Sequence, residues 1–234
     1  MQSKIENRNS KIPMRSFWSE PFLWIHFAGL AAVPILLGLC LLGLAVGEPR
    51  EPVWQELLLI AVVGIAPVLW MQFFRPFNIF SILIVAIKPE QLTTEQRKIL
   101  SLFKTPLEQL LAVLAPFFLV AILRQIYLGA SIAAPVAPFP PEWRLAGVLL
   151  AAVGFLFSNL FLQVPVSVLR VLITSESAFA ATEPYPLEKI DRDFTTPGWQ
   201  VNQILPLISV QPKQSSPASE PIIEDTASNS SNKI

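Results

Sequence analysis

Few residues in this chain are of a kind that does chemistry, and their spacing argues against it. His26 is the one histidine and Cys40 the one cysteine. No thiol can therefore pair within the chain, and no helical pair of the sort that holds zinc or a di-iron centre occurs. Every aspartate (Asp191, Asp193 and Asp225) lies beyond the last apolar stretch, so intramembrane proteolysis lacks its acids at depth. No serine or threonine sits in a pattern that supplies a base, and no glycine-rich cradle carries a lysine for phosphate. No catalytic, cofactor-binding or metal-ligating residue is assigned, and the chain is read as not an enzyme.

The polar residues that remain point to contacts. His26 falls about one turn into the first apolar stretch and is expected to bond a neighbouring helix or a lipid headgroup. Arg75 and Arg124 stand near span ends, where a long cationic side chain snorkels to the interface. Asn159 and Gln163 are four apart, on one helical face, and are expected to hydrogen-bond another helix, with lining of a polar path as the alternative. Glu108 is expected to be solvated at the start of the third stretch. Gly147, Ala151, Gly154 and Ser158 recur down one side of the fourth stretch, and Gly43 and Gly47 form a GxxxG pair. Small residues so spaced let two helices approach closely.

The elements that must carry these residues are four apolar stretches: 22–46, 54–74, 107–127 and 145–169. Each holds roughly 20 to 25 residues, enough to cross a hydrocarbon core about 30 Å thick. With 53% of residues hydrophobic and 15% charged, a very apolar soluble domain is the competing class. It is set aside because 28–46 and 146–157 are apolar on every side of a helix, a surface that suits lipid. Lys and Arg match Asp and Glu at 17 each, so no basic excess favours nucleic acid. The Arg8, Lys11 and Arg15 leader resembles a signal peptide, but the apolar run behind it is too long for an h-region, and an uncleaved anchor is expected.

Basic residues set the orientation. They gather in the segment 1–21 and in 77–105, which places the N-terminus, the central loop and the C-terminal part on the cytoplasmic side. Segment 77–87 follows Arg75 and Pro76 and is read as interfacial, with a re-entrant hairpin as its rival. Thr93 to Gln96 resembles a capping box, opening a short amphipathic helix whose basic side is expected to meet anionic lipid headgroups, with a plain solvated connector as the alternative. Prolines 135, 138, 140 and 141 are expected to keep the outer loop 128–144 extended. Residues 170–212 form a juxtamembrane region, and 213–234, rich in Ser, Pro, Glu and Asn, a disordered tail. The fold class is an all-α integral membrane protein of four transmembrane helices, with short interfacial helices and that tail.

The run from Arg15 to His26 (RSFWSEPFLWIH), then Gly64 to Pro67, Phe74 to Phe77, Phe80 to Ile82 and Lys88 to Glu90, resembles the cyanobacterial low-complexity-tail membrane proteins, over about residues 14–175. The resemblance implies a plasma or thylakoid membrane protein with no assigned activity. It carries over no site residues and no cofactor. The partners expected are the lipid bilayer and other membrane proteins through helix faces. Function is read as a scaffold or assembly factor of a membrane complex, with a small oligomeric transporter or channel subunit as the alternative.

Overall fold

The computed structural model describes residues 16–50, 52–82 and 84–205, and every element below falls within Met1–Ile204. Four helical segments are long and apolar enough to span a membrane: Pro21–Leu44, Trp54–Phe74, Pro106–Val136 and Pro141–Ile173. Hydrocarbon offers no partner for a backbone amide, so a helix, which bonds all of its own, is the form such sequences take.

The first segment is α1 (Pro21–Ala28) and α2 (Ala32–Leu44), joined by a 3-10 turn at Gly29–Ala31. Pro34 has no N–H to offer the carbonyl of Leu30, and the helix tightens there. The second is α3 (Trp54–Phe74), which runs unbroken through Pro67. Two short strands, β1 (Ser81–Ile82) and β2 (Val85–Ile87), and α4 (Thr94–Leu102) follow. Then come α5 (Pro106–Gly129) and the 30-residue α6 (Arg144–Ile173). After α6 come α7 (Glu176–Ala181), α8 (Leu187–Asp193) and β3 (Trp199–Val201).

The axis of the bundle is α6, which touches α1, α2, α3 and α5. Its stripe of small residues is where α2 lies. A Cβ built on Gly43 would stand 2.5 Å from the carbonyl oxygen of Gly147 and 2.6 Å from the amide of Ala151, and one on Gly154 would stand 2.9 Å from the amide of Cys40. Around this seam Cys40, Leu44, Ile60, Leu119, Leu123, Val148, Ala152 and Phe155 form a buried core. Gly43 and Gly47 do not act as one packed pair. Gly47 lies past the end of α2 with φ at +63°, where it turns the chain tightly against Pro141.

Segment 77–87 corrects the all-α reading. It holds two short strands in place of a helix: β1 pairs antiparallel with β2, and β2 pairs parallel with β3 in the register Val85 to Trp199 and Ile87 to Val201. The run Ile82 to Ile87 is rich in β-branched residues, which favour strands, and β3 comes from far down the chain, beyond the reach of local patterning. Gly198, at φ +74°, lets β3 come in against the backbone of Ile84.

The basic side of α4 is also spent differently. Thr93 and Gln96 close the capping box, and Ile99, Leu100 and Phe103 are buried. Lys98 Nζ donates to the carbonyl of Ala180 at 3.2 Å and Arg97 to that of Tyr185 at 3.4 Å, so these cations hold the returning chain. Gln96 further donates to Glu20, tying α4 to the start of α1. The outer loop, expected to be extended, is helical first: α5 runs on as a 3-10 turn over Ala130–Val136. Extended backbone angles appear after it, at Ala137 and Pro140. Proline fixes φ near the value that both forms share, so Pro135 sits in the 3-10 turn without strain. The proposed tail, 213–234, lies outside the described residues.

Two outcomes follow from this packing. Gly43→Ala forces a methyl onto the α6 backbone and should cost about 1–3 kcal/mol. Gly38→Ala, on the same helix but with nothing within 4 Å, should be neutral or stabilising by up to about 1 kcal/mol. Unfolding in detergent compares the two. In the region after α6, Tyr185 Oη donates to Asp193 Oδ2 at 2.6 Å. Burial, and then this carboxylate, push the Tyr185 phenol up to about 12. The neutral phenol's contribution is thus present below the ordinary tyrosine value of about 10 and is lost as pH rises toward about 12. Absorbance titration of tyrosinate, differenced against Tyr185→Phe, should show this high ionisation, and Asp193→Asn should lower it.

Candidate functional site

Three polar clusters occupy the bundle, one at each end and one between. At the end away from the sheet, Arg144 opens α6 and Glu56 sits in the first turn of α3. The two are 4% and 8% exposed. Arg144 Nε lies 3.1 Å from both carboxylate oxygens, and a second guanidinium nitrogen closes the ion pair on Oε2. The third nitrogen donates to the carbonyls of Leu44 at 2.7 Å and Val46 at 2.8 Å. The backbone N–H of Arg50 adds a bond to Glu56 Oε1 at 3.2 Å.

This arrangement answers several demands together. The last carbonyls of α2 have no intrahelical donors, a carboxylate is favoured at the positive N-terminal end of α3, and the planar guanidinium serves both with fixed geometry. One residue therefore joins α2, α3 and α6. Sequence alone assigns neither Arg144 nor Glu56 a role in such a cluster. The available signal was a lone acid in an otherwise apolar span, two residues after Trp54, matched by a lone arginine just after Trp143.

Midway along α6, Asn159 Nδ2 donates to the carbonyl of Gly64 on α3 at 3.0 Å. Gly64 precedes Pro67 by three residues, and proline pushes the carbonyls of the turn before it outward. Neighbouring helices commonly re-satisfy backbone groups disturbed in this way. Gln163 does not reach another helix: its Nε2 donates to Asn159 Oδ1 at 2.9 Å. Its Oε1 is buried and has no donor among the described residues. Ser158 turns back on its own helix, bonding the carbonyl of Gly154 at 2.8 Å. Gly147, Ala151 and Gly154 lie along the α2 seam.

At the sheet end, Arg170 reaches Glu108 at 3.3 Å and the carbonyl of Leu102 at 2.8 Å. Glu108 is buried, contrary to the expectation that it would be solvated. Arg75 donates to the carbonyls of Asp191 at 2.7 Å and Phe194 at 2.9 Å, and Thr195 Oγ1 donates back to the Arg75 carbonyl. It fastens the region around α8 to the end of α3. His26 Nδ1 lies 2.8 Å from the carbonyl of Phe22, with the ring against Phe77. Arg124 is exposed on α5. Among the described residues no group of three His, Cys, Asp or Glu side chains is placed to hold a metal ion.

Removing either member of the Arg144–Glu56 pair leaves a buried charge uncompensated, so Arg144→Met or Glu56→Ala should each cost about 3–5 kcal/mol, and the double variant less than their sum. A double-mutant cycle on unfolding in detergent measures this.

Against known proteins, residues 19–206 match the family described as low-complexity tail membrane protein-like. No curated protein and no solved structure matches the chain.

Proposed function

The chain belongs to the low-complexity tail membrane protein-like family, and from that footing we propose that it is a non-enzymatic scaffold or assembly subunit of a larger membrane complex. One observation carries the reading. The polar side chains inside the bundle bond chiefly to the bundle itself, while α3 and α5 turn Trp70, Phe73, Phe74, Leu114, Phe117 and Phe118 outward. Chemistry is thus directed to holding four helices together, and apolar surface is offered around them. The end bearing Arg75, Lys88, Arg97, Lys98 and Lys104 is assigned to the cytoplasm by its basic residues, with both termini on that side. The sequence resemblance adds a cyanobacterial plasma or thylakoid membrane as the setting.

Gln163 Oε1, a buried acceptor without a donor among the described residues, favours a second reading, an oligomeric transporter or channel subunit. A single comparison separates the two. After gentle detergent extraction the tagged protein should migrate on native gels in an assembly larger than its own mass, and Gln163→Ala should leave it there. Migration as a monomer alone, under conditions that keep other complexes intact, defeats the scaffold. Solute flux in proteoliposomes that Gln163→Ala abolishes puts the transporter in its place.

A further inference from the structure

The two stretches that build the sheet, 76–87 and 194–204, hold no charged residue. Two large apolar side chains in them stand open: Ile84, at the turn between β1 and β2, is 57% exposed, and Trp199 on β3 is 72% exposed. They are neighbours, since the Trp199 N–H donates to the Ile84 carbonyl at 2.8 Å.

Depth along the helices tells what surrounds this pair. Phe80 packs its ring on Phe22, near the start of α1. One residue on, the Ser81 carbonyl meets the His26 imidazole, and Ile82 shares a cleft of about 310 Å³ with Ile25, Gly29, Phe157 and Phe161. β1 therefore runs along α1 toward the middle of the bundle. At its deep end Ile82 pairs with Val85, and at its shallow end the Ile87 N–H meets the Phe80 carbonyl. The turn that holds Ile84 is thus at the deep end.

The length of α6 sets the scale. Its 30 residues measure about 45 Å, which exceeds a hydrocarbon core of about 30 Å by about 15 Å. Phe161 stands about 18 Å from the end of α6 at Ile173, so it lies within hydrocarbon wherever the crossing helix is set. Ile82, in the same cleft, is at the level of the lipid rather than of the water beyond it. Backbone pairing suits the place, because the Ile84 carbonyl, which lipid would leave unanswered, is taken by Trp199. An indole ring favours the interfacial layer.

We propose that the turn between β1 and β2, together with Trp199, is immersed in the lipid leaflet at the sheet end and anchors the chain after α6 to the membrane. The partner of this surface is lipid, with acyl chains around Ile84 and the interfacial layer around the indole. The anchor rests on the four crossings and not on the scaffold reading, so either can fail alone.

Spin labels on Ile84→Cys, Trp199→Cys, Phe117→Cys and Glu188→Cys, each combined with Cys40→Ala, test this in lipid nanodiscs. Power saturation compares oxygen, which concentrates in lipid, with a water-soluble nickel chelate. Phe117 is exposed on the spanning helix α5 and Glu188 is exposed on α8. Positions 84 and 199 should respond more to oxygen than to nickel, as 117 does, and 188 should show the reverse. If either 84 or 199 follows 188 instead, the proposal is overturned and the apolar edge of the sheet is left for a protein to cover. Cys40 is buried, so the unsubstituted chain supplies a second reading that needs no variant. A membrane-soluble diazirine should label the peptides around Ile84 and Trp199 as it labels α5, and labelling of α5 without them overturns the proposal as well.

Discussion

In hydrocarbon a donor or acceptor can be answered only by the protein, and an unanswered one costs several kcal/mol. That constraint orders most of what is seen along these helices. Arg144 answers the carbonyls that α2 leaves open and meets the carboxylate of Glu56 in the same place. Asn159 answers a carbonyl near the proline of α3. Both side chains join elements that apolar contact alone would leave free to slide, since lipid tails are as apolar as leucine and exert no force that drives helices together.

Close approach is the second half of the same argument. With no hydrophobic drive between helices, association rests on van der Waals contact and short polar bonds, both of which need backbones near one another. The glycines at 43, 147 and 154 remove the side chains that would hold α2 and α6 apart. The Arg144 guanidinium then spans from α6 to the end of α2 and the start of α3. Glycine seam and ion pair reinforce each other, because loosening the seam would lengthen the bonds that the arginine makes.

How much of this the amino-acid sequence reveals depends on distance along the chain. The spans were legible because twenty apolar residues in a row have one stable form in lipid. The small-residue stripe on α6 was legible because helical period puts Gly147, Ala151 and Gly154 on one line. The partners were not: nothing local links Glu56 to Arg144, or Asn159 to Gly64, when loops and whole helices separate them. The sheet was hidden for the same reason, since β2 takes one of its neighbours from beyond α6. The basic residues of α4 were correctly seen as one side of a helix, yet what they touch, the carbonyls of Ala180 and Tyr185, belongs to a segment that reads as featureless. The family match likewise extends to residue 206, beyond the 14–175 stretch that the motifs suggested.

The parallel pairing of β2 with β3 has a bearing on how the molecule is made. A ribosome delivers residues 85–87 long before 199–201, with two membrane crossings to be inserted in between. During that interval the first hairpin has an open edge and its cationic neighbours have no carbonyls to grip. The region around the sheet is thus a late product of biosynthesis, completed only when the segment after α6 comes back to the place where the middle of the chain has been waiting.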